Sequence, residues 1–427
     1  MKYLIVFLLP LIFSYECFSQ DMIKLSGKVV DTETNEPLGY AHVGISNTSI
    51  GVVTNSQGEF EINIPNSNLN DTLYVSMLGY EVHKLIIDGI GSNLTIYLTP
   101  KVLLMDDVVV NEDGLTSEDI LAKAIENIGF NYPSKPYMME GFFRQIQKTD
   151  DSYISVLEVA ANIYDPGYGS RKNVKSEIVE IRRSHYKNNK PYLNIADTAY
   201  TQKHNTLSGS LRFNRVRSLA SSKKKKGFYH GKYSYQWDST LYYNDKLVYV
   251  ISATQKNGKG YLKEVEKENR INTLLIDAET FAILKVIFQY SPKGKRLPDD
   301  FANVQQTNDS IISVVKGHTC IYEFSNYGGV QYLKYVRWSD WVFDYNINTK
   351  KEAHMNEYRH ELLINRVITD PADFTEIEDK MDSKKSLHLQ VKDYNEAFWK
   401  NYNVLTESQE ERRLIQNLMN EMKTSDP

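Results

Sequence analysis

The densest run of chemistry-bearing side chains in this 427-residue chain is His354-Met355-Asn356-Glu357-Tyr358-Arg359-His360-Glu361. A His and a Glu three positions apart can bring an imidazole and a carboxylate to one zinc ion. A third ligand such as His360 and an open position for water would complete a hydrolytic centre. The run continues, however, into the apolar strand signal Leu362-Leu363-Ile364, and side chains alternate between faces along a strand. His354 and Glu357 would then point to opposite sides. The spacing therefore reads as a polar strand entry, and no metal ligand is assigned to it.

Other reactive groups fare no better. The sequence has no G-x-S-x-G elbow, no H-E-x-x-H helix and no phosphate-cradling glycine loop. Cys320 sits within an apolar strand signal, where a buried, inert thiol is expected. Asp299-Asp300 falls in a loop, where paired acids are ordinarily solvated. The run Lys223-Lys224-Lys225-Lys226 could meet an anion, but such runs are usually solvated loop tips. A net charge of −4 carries no footprint for nucleic acid. No catalytic, cofactor-binding or metal residue is assigned, and the chain is read as a non-enzyme without a cofactor. The alternative is a zinc-dependent hydrolase using the 354–361 cluster.

The ends explain where such a chain would work. Lys2 followed by the apolar run Leu4 to Phe13, then a polar stretch to Gln20, has the layout of a secretory signal peptide over residues 1–20. Cleavage is expected after Ser19 or Gln20. The apolar run is shorter than the roughly 20 residues a membrane-spanning helix needs. Cys17 would suit lipidation, but Ser14 and Glu16 are poor neighbours for it. With Cys17 removed, Cys320 alone remains and no internal disulfide can form. The expected location is the periplasm or the outer membrane.

The elements that position these residues are mostly strands, in keeping with 30 Tyr among 427 residues. Between Ile23 and Leu98, about seven short alternating segments are separated by turn signals, a pattern that points to a β-sandwich. Asn55-Ser56-Gln57-Gly58 reads as a hairpin turn between Val52-Val53-Thr54 and Phe60-Glu61-Ile62. Gly27, Val29 and Asp31, then Pro37-Leu38 with Ala41 and Val43, Thr54-Asn55-Ser56-Gln57-Gly58-Glu59-Phe60 and Gly79-Tyr80 together resemble the carboxypeptidase regulatory-like domain family. That resemblance implies a transthyretin-like sandwich of the kind found at the N-terminus of Bacteroidetes envelope proteins and TonB-dependent receptors, and no catalytic residues. Asn55 stands where that family usually has Asp. Phe60 is expected in the core, and Tyr80 is expected to close one end of the sandwich with its hydroxyl on backbone.

Residues 101–115 read as a linker and 116–427 as a second, larger domain. Ser117 is expected to cap a helix carrying Ile120, Leu121, Ala124, Ile125 and Ile128, with Gly129 ending it. Long alternating strands follow: 139–146, 153–163, 176–183, 241–254, 261–269, 271–276, 281–290, 320–327, 333–345 and 358–368. The rhythm from Gly260 to Lys285 resembles strands of the lipoprotein-carrier type of half-open β-barrel. Residues 184–236 read as an insertion or partly helical excursion. A last helix is expected over 406–422, with Ile415, Leu418, Met419 and Met422 as its stripe, and with Phe398-Trp399 docked on the sheet. The fold class is mainly β: a seven-stranded sandwich, then an antiparallel, half-barrel-like sheet with flanking helices. The expected function is an exported binding or assembly module with a concave face. Its partner would be an outer-membrane or TonB-dependent receptor component, a glycan or a lipid.

Overall fold

The computed structural model describes residues 22–101, 114–183, 206–220, 233–255, 268–292, 306–349, 351–377 and 395–413, apart from isolated positions, with Met381, Leu387, Gln390 and Gln416. The expected signal peptide, the 102–113 part of the linker, the lysine run and Asp299-Asp300 lie outside the described residues. So do most of the expected last helix and the residues of its stripe.

The first seven strands are β1 (Met22–Asp31), β2 (His42–Ile45), β3 (Gly51–Val53), β4 (Glu59–Pro65), β5 (Thr72–Ser76), β6 (His83–Ile86) and β7 (Leu94–Leu98). They form two sheets, ordered β4-β1-β7 and β3-β2-β5-β6. β1 pairs with β7 in parallel and with β4 antiparallel. Leu25, Val29, Val43, Phe60, Ile62, Leu73 and Val75 are buried together between the sheets, which makes the expected seven-stranded sandwich. At the hairpin, the Asn55 side-chain oxygen accepts from the Gln57 and Glu59 N–H groups, and Gly58 takes φ +73°. Asn55 thus pins the turn that the motif marks. Tyr80 differs from expectation: its hydroxyl donates to the Asp31 carboxylate at 2.8 Å, not to backbone. The same carboxylate accepts from the Glu33 and Thr34 N–H groups, so one acid closes its own turn and anchors the Tyr80 corner.

The chain then enters α1 (Ser117–Glu126) and α2 (Ile128–Asn131). Thr116, not Ser117, is the N-cap, because its side chain and that of Asp119 bond reciprocally to each other's backbone N–H. α1 ends at Asn127 and Gly129 falls inside α2, so the chain turns earlier than expected.

Next come β8 (Tyr137–Thr149), β9 (Ser152–Asp165), β10 (Lys175–Arg183), the short helices α3 (Thr206–Arg212) and α4 (Arg215–Ala220), β11 (Tyr233–Tyr243) and β12 (Lys246–Gln255). They are followed by β13 (Glu268–Asp277), β14 (Ile283–Pro292), β15 (Gln306–Asn308), β16 (Ile311–Tyr327), β17 (Val330–Asn346), β18 (Lys351–Ile368) and α5 (Glu396–Asn401). The expected single strand over 241–254 is two: Asn244 and Asp245 both take positive φ, 52° and 59°, and form a two-residue hairpin turn between β11 and β12.

The large sheet runs β10-β9-β8-β18-β17-β16-β14-β13-β12-β11, with β15 on β16, and does not close. Every pairing in it is antiparallel. Its two faces separate by the strand alternation. Phe143, Val159, Val336, Leu362 and Ile364 face the core closed by α1, α2, α3 and α4. Their neighbours Phe142, Ala160, Tyr335 and Leu363 face the other way and share a core with the sandwich, Trp399 and Leu405. The expected open concave face is thus covered across the middle strands, on one side by helices and on the other by the sandwich.

Candidate functional site

Charged residues at face positions of otherwise apolar strands are rare because burying an unpaired charge is costly. This sheet carries a row of them on its sandwich side. Across five neighbouring strands the directly opposed residues are Arg182 of β10, Glu158 of β9, Arg144 of β8, Glu361 of β18 and Arg337 of β17. Their signs alternate, so each carboxylate stands between two guanidiniums. Arg144 and Glu158 are both only 2% exposed, with Arg144 Nε to Glu158 Oε1 at 2.6 Å. Arg182 holds the other oxygen of Glu158. Burial alone would raise the Glu158 carboxyl, but Arg182 and Arg144 hold it below its usual range.

The row is closed by the C-terminal segment. Trp399 of α5 lies edge-on to Phe142, under the Arg182 guanidinium at 4.5 Å. Arg144 donates to the Leu405 carbonyl at 2.7 Å and reaches Glu407 at 3.5 Å. Burial raises the Glu407 carboxyl above its usual range, against the pull of Arg144. Ser408 and Glu411 form a reciprocal cap, with Ser408 N–H to Glu411 Oε2 at 3.0 Å and Glu411 N–H to Ser408 Oγ at 3.2 Å. The expected helix therefore starts after Ser408 rather than at Thr406. The other oxygen of Glu411 accepts from Arg359, two residues along β18 from Glu361 and on the same face. Burial would raise that carboxyl too, yet Arg359 and the Ser408 amide bring it down to about 2.

Above this floor the segment meets the sandwich. The Asn403 side-chain oxygen accepts from Asn63 N–H at 2.7 Å, and its NH2 donates to the Asn63 carbonyl at 3.2 Å. Tyr402 donates to the Gly141 carbonyl of β8 at 3.1 Å. Between segment, sandwich and sheet remains a partly open cleft of about 20 Å³ lined by Tyr40, Thr54, Asn55, Arg359, Glu361 and Thr406. That volume admits about one water.

A second tie lies at the other end of the seam. Lys334, 3% exposed, donates to the carbonyls of Gly51 at 2.9 Å, Ile364 at 2.8 Å and Ser49 at 3.3 Å. Burial pulls its ammonium down to about 7. His42 is buried nearby and stacked on Tyr74. Burial, with the Lys334 charge, draws its imidazole down to about 3.

The 354–361 residues are dispersed by the strand that carries them. β18 runs unbroken from Lys351 to Ile368. His354 pairs with Asp150 at 3.0 Å at the sheet margin, and His360 is buried against Phe143 on the helix side. Six residues of strand separate the two by roughly 20 Å. Glu357 shares the face of Glu361, opposite both histidines, and Glu361 accepts from the Tyr335 hydroxyl at 2.5 Å. Among the described residues no group of three or more His, Cys, Asp or Glu is placed to hold a metal ion. Cys320 is buried, and burial pushes its thiol well above the usual range. The charged row went unread in the sequence because only register brings it together; the one local signal was Arg144 between Phe142 and Ile146 on an apolar face.

Residues 25–110 match the family model of the CarboxypepD_reg-like domain. The TonB-dependent receptor SusC of Bacteroides thetaiotaomicron is 25% identical over 174 residues, which are 41% of this chain and 16% of the receptor. The chain thus spans less than a fifth of that relative's length. Among solved structures, a domain assigned to outer membrane lipoprotein sorting in Vibrio parahaemolyticus is 11% identical. The match covers 61% of this chain and 97% of that one, with a TM-score of 0.25. A LolA superfamily protein from Nitrosomonas europaea is also 11% identical, with 61% and 98% covered and a TM-score of 0.19. Scores this low do not equate the folds. Among the described residues no helix is long and apolar enough to cross a membrane, which says nothing of strands.

Proposed function

We propose that this chain is an exported, non-catalytic binding or assembly module of the cell envelope that works beside a TonB-dependent receptor. The observation that carries this reading is the 174-residue similarity to a receptor of that class, which is longer than the regulatory-like match at 25–110. A module shared with a receptor is suited to assembling on one. Residues 1–20 act as the signal peptide, and 21–100 and 116–427 as the two domains.

The test is in-cell crosslinking of tagged protein in envelopes, with partners identified by mass spectrometry. Enrichment of an outer-membrane receptor is the expected result. An envelope hydrolysis activity that co-purifies with stoichiometric zinc, and is lost on His354→Ala or His360→Ala, would overturn the non-catalytic part. A glycan or lipid partner without any receptor would overturn the assembly part.

A further inference from the structure

We propose that the outer edge of β4 and the charged row beneath it form a docking groove for an extended acidic segment of a partner protein, which residues 395–411 occupy in cis. The proposal rests on the binding-module reading above and names the surface and the partner's chemistry.

The acidic requirement follows from the floor. Arg144 and Arg359 are little exposed, and each takes a carboxylate from the segment, Glu407 on Arg144 and Glu411 on Arg359. Withdrawing an anion from a guanidinium so little exposed to water is costly, so the groove favours an acidic occupant over a neutral one.

The extended requirement follows from the wall. β4 is the edge strand of its sheet and pairs with β1 on one side only. Asn63 turns its N–H and C=O outward, where the Asn403 carboxamide takes the place of a neighbouring peptide group. In an antiparallel pair, residues two apart turn the same way, so Glu61 also directs its backbone groups to that edge. A side-chain amide can pair one residue of the edge, whereas a true strand would pair both. The cis segment is therefore an incomplete substitute, and an incoming strand has hydrogen bonds to gain. Within the connection from β18 to α5, Met381 and Leu387 are buried in the helix-side core, so only the part after Leu387 would lift with the segment while the sheet stays intact.

Hydrogen exchange on the purified wild-type protein, read by fragmentation mass spectrometry, tests the lifting directly. The Asn63 amide and those of 395–412 should exchange roughly 100-fold faster than Ile62 and Ile64, which face β1. Equal rates would mean that the segment opens only with the whole sandwich and would overturn the proposal. The groove is then probed with a fluorescein-labelled peptide of sequence 395–412. Asn403→Ala, which loosens the cis segment, should bind it at least about tenfold more tightly than wild type. Adding Arg359→Gln should weaken that binding by about tenfold. Equal binding by wild type and Asn403→Ala, or binding indifferent to Arg359→Gln, would also overturn it. Because exchange is measured on purified protein, an opening segment with no envelope partner would count against the receptor reading and not against the groove.

Discussion

The Asn403 side chain meets the Asn63 backbone as a peptide group meets its neighbour in a sheet, accepting from its N–H at 2.7 Å and donating to its carbonyl at 3.2 Å. Asn403→Ala removes both bonds and returns an edge N–H and C=O to water. We expect a loss of about 1–2 kcal/mol in urea denaturation, with the midpoint shifted and the slope unchanged. A variant as stable as wild type would show that the pairing contributes nothing.

Glu158 holds two guanidiniums at once, so it is the most sensitive member of the row. Glu158→Gln leaves buried Arg144 and half-buried Arg182 without their shared anion and should cost about 3–5 kcal/mol. Replacing all three by apolar residues of similar volume should cost much less. Thermal unfolding of the single and triple variants separates the two outcomes.

Trp399 is 5% exposed between Phe142 and the sandwich core. Trp399→Ala opens a cavity there and should cost about 3–5 kcal/mol. Loss of near-ultraviolet circular dichroism at Trp399 without loss of stability would argue against docking of α5.

Gly58 has φ +73°, and a Cβ there would stand 2.5 Å from the Val29 carbonyl oxygen. Gly58→Ala should therefore destabilise the sandwich by more than about 1 kcal/mol, in contrast to alanine at the exposed, open Gly91. A differential scanning calorimetry trace with an unshifted transition for Gly58→Ala would contradict this.

Acid should weaken the fold well above the carboxylate range. Burial draws His42 to about 3 and His360 to about 4, His360 against the pull of Asp340, while both titrate near 6.5 once unfolded. The unfolded chain thus binds more protons at these imidazoles below 6.5, so their contribution to stability is full above that pH and is lost as pH drops toward 4. Each imidazole contributes up to about 1.4 kcal/mol per pH unit. Glu411, held at about 2 in the folded chain, adds to the decline only below its unfolded value of 4.5. Urea midpoints at pH 7.5, 6, 5 and 4.5 should fall in order; a flat series from 7.5 to 5 would show that neither histidine is held neutral.

The sandwich was legible because its signals are local. The Asn55–Gly58 turn, Phe60 and the alternation of β1 each act within a few residues. The long strands were legible for the same reason, and their ends were missed where competing chemistry is short-range but subtle. Thr116 outcompeted Ser117 as cap because Asp119 could close the box with it, and Asn244-Asp245 turned a run that apolar residues on both sides made look continuous. The charged seam was not legible. Arg144 and Glu361 are far apart in the chain and become partners only once β8 and β18 are in register. The placement of His354 and Glu357 on opposite faces was legible, because alternation along one strand can be read without knowing its neighbours.

The bond between Asn63 and Asn403 spans 340 positions of sequence. A growing chain therefore makes the β4 edge long before it makes the residue that covers it. Until residue 403 is delivered, every nascent or truncated copy exposes an edge that neighbouring chains can pair with. Closure of that edge is consequently a sign that synthesis has passed residue 403, and a proteolytic or premature end upstream of it leaves a molecule marked by its own unpaired strand.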